Sequence, residues 1–142
     1  MRYGCAGDIL VPEYKLWDFL DERGKNVILQ WVTEDRLTKR DRAALNQKIR
    51  RLAQMEYELA IQTKLLAGPI FKHIYKLKVH GNVMLRPMLC RGPIYNAEEY
   101  TFLVGSVETG DKLPVGCKEK AESNRLVVLN DPNRRCPHQR IP

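Results

Sequence analysis

The chain has 142 residues, 44% of them hydrophobic, and a formal net charge of +7 at pH 7. This length suits one domain with a single hydrophobic core. No apolar run is long enough to cross a bilayer and the first residues do not resemble a signal peptide, so a cytoplasmic protein is the default expectation. None of the four cysteines forms a CxxC pair, and we expect partly buried free thiols rather than a metal site or disulfides.

The basic residues are unevenly distributed along the chain. Residues 36–54 carry seven basic side chains and one acidic side chain, and residues 71–91 carry five lysines and arginines with no acidic residue. Such runs are often only solvated faces, but positive charge concentrated within a mixed chain also indicates an acidic partner such as RNA. The functional interpretation is stronger for 71–91, because the residues of neighbouring strands crowd their charges together.

The N-terminal part predicts a loose segment, a strand and a helix. Residues 1–13 contain two glycines and a proline and predict an N-terminal extension, which precedes a folded domain expected to cover 14–130. Residues 14–24 are interpreted as the first strand. Apolar residues recur at helical spacing in 26–37, with Asn26 as the N-cap.

A second helix is predicted over 39–55, because Thr38 and Asp41 have the spacing of a capping box and apolar residues share one helical face. Residues 56–70 give a mixed signal that ends in a turn. Three strand-like runs follow, at 73–80, 83–91 and 99–107. The first two are expected to form a hairpin through Gly81 and Asn82.

The last two strand runs differ in their expected positions in the sheet. Pro87 removes a ladder hydrogen bond, so the second run should contain a bulge or lie at an edge. The third run is apolar on both faces and should be a central strand covered on both sides.

The C-terminal part predicts a helix and a tail. The helix begins near Pro114, and 125–129 is either its end or a further strand. Residues 131–142 are basic and rich in proline, and are expected to form an irregular tail. The element order β-α-α-β-β-β-α predicts an α+β fold, in which two N-terminal helices pack on a small, mostly antiparallel sheet.

The stretch HIYKLKVHG, 73–81, alternates between an apolar and a basic side. Lys76, Lys78 and His80 share one parity and are expected to project from one face of the strand, while the apolar residues face the helices. Arg86 follows on the adjacent strand. Metal-free RNA cleavage needs a base for the 2′-hydroxyl, a cation for the phosphorane and an acid for the leaving oxygen. These side chains are suited to that chemistry.

Four stretches of the chain are similar to segments of the RelE/ParE/HigB superfamily of bacterial toxins, in particular its HigB-like, phage-derived branch. They are WDFLDERGKN with the following WV; AALNQKIRRLAQM with LLAGPIFKHIYKLKV; RPMLCRGP; and TFLVGSVETGDKLP with 121–125. The resemblance covers about 14–135. It implies a RelE-like fold and a toxin that cleaves mRNA in the ribosomal A site and is held inactive by a cognate antitoxin, expected to be a helix-turn-helix protein. It implies no cofactor, metal, membrane or small-molecule substrate.

The resemblance also suggests roles for individual residues. Lys76 and Lys78 align with the paired lysines of the catalytic strand, and Arg86 matches a phosphate-binding arginine. His138 lies where members carry a C-terminal acid or base, and His80 continues the lysine face. These residues form the predicted catalytic set. The predicted RNA-binding residues are Arg91, Lys112, Arg134 and Arg135.

The chain departs from the family pattern at two places. Glu108 and Asp111 stand where related toxins carry basic residues, and no tyrosine follows Tyr100. These departures favour an alternative, a non-nuclease member of the same fold such as a ParE-like gyrase inhibitor or an inert phage-derived relative that binds protein. A nonspecific RNA-binding domain is a third interpretation, but it rests on charge alone, without the solvent-facing strand aromatics that stack bases.

Overall fold

The computed structural model describes residues 13–142, so the predicted extension 1–13 lies outside the described residues except for Glu13. The elements in chain order are β1 (Lys15–Phe19), α1 (Val27–Glu34), α2 (Lys39–Ala53), α3 (Tyr57–Gln62), β2 (Leu66–Phe71), β3 (Ile74–Leu77), β4 (Val79–His80), β5 (Met84–Leu85), β6 (Met88–Arg91), β7 (Glu99–Val104), β8 (Val107–Glu108), α4 (Cys117–Asn130) and β9 (Arg135–Pro137). Within 13–142, no helix combines the length and the apolar character needed to cross a membrane.

The strands form two sheets. The larger has the order β9-β1-β7-β6-β3-β2, and the smaller has the order β4-β5-β8. Strands β1 and β7 pair in parallel, and all the other pairs between these strands are antiparallel. The predicted α+β class with a mostly antiparallel sheet is therefore confirmed. Strand β7 lies in the interior of the larger sheet, as its apolar sequence predicted, with five of its six residues buried.

Both N-terminal helices begin at the predicted caps. The Asn26 side chain accepts hydrogen bonds from two backbone N–H groups of α1. Thr38 and Asp41 form the reciprocal capping box of α2. The apolar faces of these helices join one core cluster with Leu77 and Val79, so the apolar side of the 73–81 stretch faces the helices as expected. Helix α4 contributes to a second cluster, which includes residues of β3, β6 and β7.

Residues 56–70 contain two elements that the sequence prediction missed. The short helix α3 is followed by β2, which pairs with β3 at the edge of the larger sheet. Gly68 and Pro69 lie within β2 and have the appearance of a turn in the sequence. An edge strand tolerates the proline because one side of its backbone makes no ladder hydrogen bonds.

Each of the three strand runs predicted at 73–80, 83–91 and 99–107 is divided into two strands. The breaks fall at Lys78, at Arg86-Pro87 and at Gly105-Ser106. They lie next to one another, since the Arg86 N–H donates to the Ser106 carbonyl at 2.8 Å. A register shift follows at Met88, so the bulge expected near Pro87 is confirmed. These breaks separate the smaller sheet from the larger one.

The C-terminal part is more ordered than predicted. Helix α4 includes 125–129, which settles that segment as helix. The irregular tail expected at 131–142 is wrong in part, because β9 pairs with β1 and extends the larger sheet. Beyond β9, Ile141 is buried and exchanges two hydrogen bonds with the Asn46 side chain of α2 at 2.9 Å each. The tail is therefore fixed across the sheet edge to a helix.

Candidate functional site

Four basic side chains and a histidine line one cleft of about 540 Å³. They are Lys48, Arg51, Lys64, Lys78 and His80. Among the described residues that line this cleft, every charged one is basic, and we name it the lysine cleft. Its excess of positive charge makes it suited to a polyanion.

Three parts of the chain meet to form the lysine cleft. Lys48 and Arg51 lie three residues apart on α2 and therefore face the same side of that helix. Lys64 stands between α3 and β2 with a positive φ of 63°. Lys78 is tied to that segment, because its backbone N–H donates to the carbonyl of Leu65 at 2.9 Å. This main-chain hydrogen bond holds Lys78 beside Lys64.

The structure does not bring the predicted basic face of β3 together in one place. Lys78 and His80 line the lysine cleft, whereas Lys76 lines a different cleft beside the N-terminus of α4. The division coincides with the break in the strand at Lys78, where β3 ends and β4 begins. Strict alternation of side-chain directions applies only within one continuous strand, and it does not extend across this break.

Lys76 and Arg86 both bind the carboxylate of Glu108, and we name these three residues the Glu108 cluster. Lys76 Nζ lies 3.0 Å from Oε2, and Arg86 Nη2 lies 3.2 Å from Oε1. Arg86 is buried and also donates to the backbone carbonyls of Val79 and Leu85. The arginine that the resemblance assigns to phosphate is thus engaged by Glu108.

The charges of the Glu108 cluster compensate one another in part. Burial alone would raise the pKa of Glu108, but the hydrogen bond from Lys76 and the charge of Arg86 outweigh burial, so the pKa of this carboxyl lies below its usual range. Glu108 is therefore an anion at neutral pH. Lys112, a predicted RNA-binding residue, is exposed beside this cluster, with Asp111 lining the same cleft. The cluster offers less uncompensated positive charge than the lysine cleft does.

Two of the predicted RNA-binding arginines make intramolecular contacts instead. The guanidinium of Arg135 donates to both carboxylate oxygens of Glu99, at 2.8 and 3.2 Å, and lies 4.1 Å from the centre of the Trp17 ring. Burial by itself would raise the pKa of Glu99, but the hydrogen bonds from Arg135 and from backbone N–H groups hold it below its usual range. Arg91 stacks on the ring of Tyr57 at 3.8 Å.

Arg134 is half-buried and also contributes to the fold. Its Nε donates to the backbone carbonyl of Leu20 at 3.1 Å, and its guanidinium lies 5.4 Å from the centre of the Phe19 ring. These contacts place Arg134 at the end of β1. The structure does not bring the three predicted RNA-binding residues Arg91, Arg134 and Arg135 into the lysine cleft.

His138 lies in a third cleft, of about 440 Å³, which we name the His138 pocket. It is lined by Leu16, Ala43, Asn46, Gln47, Ile49, Arg50, His138 and Arg140. Gln47 also lines the lysine cleft, so the two clefts adjoin along α2. His138 Nδ1 lies 2.9 Å from Oδ1 of the buried Asp18. Across 13–142, no three or more His, Cys, Asp and Glu side chains are grouped in a way that would hold a metal ion.

Comparisons of the chain with protein-family models, with curated proteins and with solved structures find no match. The resemblance to RelE-type toxins therefore rests on short sequence stretches.

Sequence reasoning missed part of the basic site. Lys78 and His80 were predicted, but Lys48, Arg51 and Lys64 were not assigned to the same site. The strongly basic composition of 36–54 was a signal for the two residues on α2. Nothing in the sequence indicated that Lys48 and Arg51 would lie beside Lys78 and His80, because these are long-range neighbours in the fold.

Proposed function

We propose that this protein is the toxin component of a type II toxin–antitoxin system and acts in the cytoplasm as a metal-independent endoribonuclease on ribosome-bound mRNA. The observation that supports this most strongly is the lysine cleft, which Lys48, Arg51, Lys64 and Lys78 line with no acidic residue among the described lining residues. Positive charge of this density releases counterions from a phosphate backbone and so favours RNA binding.

The proposed binding is directed at the backbone of RNA rather than at its bases. The described residues lining the lysine cleft include no aromatic side chain apart from His80. Stacking on aromatic rings is the usual source of base preference for single strands. The position of cleavage is then set by how the ribosome presents the mRNA.

The proposed reaction uses the 2′-hydroxyl of RNA as nucleophile. Its oxygen attacks the adjacent phosphorus, its proton passes to a base, and the bond to the 5′-oxygen breaks as that oxygen takes a proton. Lysine and arginine side chains stabilise the charge that develops on the phosphorane. His80 and His138 are the two histidines of the predicted catalytic set that can take up the proton.

The test is induction of the gene in a bacterial host, with growth and transcript integrity followed together. We expect growth arrest with transcript fragments that end in a 5′-hydroxyl. The double substitution Lys48→Gln with Lys78→Gln should restore growth, whereas Lys39→Gln, an exposed position of α2 outside the cleft lining, should not. Unimpaired growth with intact transcripts on induction of the wild-type gene would contradict the proposal.

A second candidate function is supported by the Glu108 cluster. There the Glu108 carboxylate binds Lys76 and Arg86, two cations of the predicted catalytic set. A protein of this kind would act by binding another protein, as a gyrase inhibitor or as an inert relative. DNA damage without transcript cleavage on induction would select the gyrase inhibitor. Co-purification with a small helix-turn-helix protein tests the antitoxin partner in either case.

A further inference from the structure

His138 is held by a fully buried carboxylate. Its Nδ1 lies 2.9 and 3.0 Å from the two oxygens of Asp18, and Asp18 has no solvent exposure. The side-chain amide of Asn26 donates to the same carboxylate at 2.9 Å. Because Asn26 is also the N-cap of α1, the orientation of the carboxylate is fixed by the start of a helix.

The backbone around His138 is fixed as well. Its N–H donates to the carbonyl of Leu16 at 2.9 Å, which continues the pairing of β9 with β1. Three residues later, Ile141 is clamped to Asn46 of α2 by two hydrogen bonds. Arg140 lies between these two anchors and lines the His138 pocket together with Arg50 of α2. His138 and Arg140 of the tail therefore line the same pocket as Arg50 of α2.

The hydrogen bond to Asp18 determines which nitrogen of His138 is available. An ionised carboxylate only accepts hydrogen bonds, so Nδ1 carries the proton that joins it to Asp18. Nε2 makes no hydrogen bond to any residue in the described part of the chain. A histidine oriented through Nδ1 by a carboxylate exchanges protons with a substrate through Nε2, which is the arrangement used in acyl-transfer triads.

The charged groups that line the His138 pocket select its ligand. Both are arginines, and no carboxylate is among the lining residues that the structure describes. Two guanidinium groups beside an imidazole are suited to a phosphate group, since arginine binds phosphate oxygens through paired hydrogen bonds. Asp18 does not line the pocket, and its carboxylate oxygens already accept hydrogen bonds from His138 and Asn26.

We infer that the His138 pocket is a phosphodiester site, in which Arg50 and Arg140 hold the phosphate and Nε2 of His138 takes the proton of the attacking 2′-hydroxyl. The assignment rests on the proposed RNA cleavage. An RNA strand in the lysine cleft reaches this pocket across Gln47, which lines both.

In this step the 2′-oxygen bonds to phosphorus, its proton goes to Nε2, and the 5′-oxygen leaves with a proton from water. The hydroxide so formed takes the proton back from the imidazolium, so the reaction gives a cyclic phosphate and a 5′-hydroxyl with no net consumption of water. Asp18 is a positioning residue that keeps Nε2 directed into the pocket. His138, rather than His80, is the base.

Binding of a phosphate group is tested with uridine 3′-monophosphate, a product-like nucleotide. Nitrogen NMR of the full chain is expected to show the Nε2 resonance of His138 shifting on titration. Substituting both arginines, Arg50→Gln with Arg140→Gln, should weaken binding by roughly tenfold or more, because charge-assisted hydrogen bonds are lost. Arg40→Gln, exposed on α2 outside the pocket lining, is the matched control. Unchanged affinity in the double variant, or an unmoved His138 resonance, overturns the assignment.

Proton transfer is tested by comparing the rate of RNA cleavage by the wild type with the rates of His138→Gln and of His80→Gln. We expect His138→Gln to lose at least a hundredfold in rate while RNA affinity stays within about twofold, since general-base catalysis contributes at least that much. Cleavage by His138→Gln at the wild-type rate overturns the inference and leaves the proposed function intact. A wild type that does not cleave RNA overturns the proposed function, and the nucleotide titration then decides the phosphate site by itself.

The role of Asp18 has its own readout. The substitution Asp18→Asn is expected to change the Nδ1 and Nε2 resonances of His138 to those of a mixed tautomer, because the carboxylate no longer selects protonation at Nδ1. His138 tautomers unchanged by Asp18→Asn would contradict the positioning role. If this variant fails to fold, the exposed Arg50 and Arg140 substitutions still test the pocket.

Discussion

Replacing Arg135 by leucine is expected to lower the free energy of unfolding by about 3 kcal/mol. The guanidinium donates to both oxygens of Glu99 and, at 3.1 Å, to the Thr101 hydroxyl. The side chains of Arg135 and Glu99 are only 5% and 2% exposed. Removing one partner of a buried ion pair costs about 3–5 kcal/mol, because a buried charge is left uncompensated. Glu99 keeps the Trp17 indole N–H and two backbone N–H donors, which places the expected loss at the low end.

The assay is urea unfolding followed by tryptophan fluorescence, with linear extrapolation to water. Arg134→Leu is the matched control, because this half-buried neighbour donates one hydrogen bond, to the Leu20 carbonyl, and should lose only about 1 kcal/mol. The double substitution Glu99→Leu with Arg135→Leu should be more stable than Arg135→Leu alone, since no charge is then left buried. A loss in Arg135→Leu no larger than in the control would refute the reasoning.

The same pair predicts a dependence on pH. The pKa of Glu99 in the folded protein lies below the value of 4.5 for a free glutamate, so the pair stabilises the fold above that pH and its contribution is lost as pH falls below it. In Arg135→Leu, burial acts on Glu99 without the opposing charge and favours the protonated form. The difference in unfolding free energy between wild type and variant should therefore narrow as the pH is lowered. A constant difference would contradict the ionised state of Glu99.

Three further changes probe the other sites. Glu108→Gln leaves the buried Arg86 without a carboxylate and should lower the free energy of unfolding by about 2 kcal/mol at pH 7. Because the pKa of Glu108 is lowered in the folded protein, this loss should become smaller when urea unfolding is measured at progressively more acid pH. Gly105→Ala places a methyl group against the Trp31 ring and should cost about 2–3 kcal/mol in the same assay. Lys78→Gln should reduce the slope of log affinity against log salt by about 0.7 in single-stranded RNA binding; an unchanged slope would remove Lys78 from the RNA contact.

Local features of the fold were predicted well from the sequence. The Asn26 cap and the capping box of Thr38 and Asp41 are interactions between residues two to three apart, so they are encoded within one turn of chain. The interior position of β7 in the larger sheet followed from the apolar residues on both faces of the predicted 99–107 run. In contrast, β2 was missed because Gly68 and Pro69 have turn-like propensities, and only pairing with β3 makes that segment a strand.

The candidate site was only partly predictable. Lys78 and His80 could be selected from the alternation of 73–81, but their separation from Lys76 depends on a strand break that is repeated in neighbouring strands. Likewise, the basic tail was expected to be solvated, yet Arg135 is buried and paired with the carboxylate of Glu99, which is 36 residues away in the sequence. Residue propensities and hydrophobic periodicity carry no information about such long-range ion pairs.

By itself, the sequence determined the helix starts, the apolar face of the 73–81 stretch and the excess of positive charge, because these depend on residues close together in the chain. The tertiary structure decided which charges remain available. It neutralised Arg86 with Glu108 and Arg135 with Glu99, and it left Lys78 facing the basic residues of α2. Burying a charge without a counter-charge is costly, and which counter-charge a side chain meets is a consequence of how the chain folds.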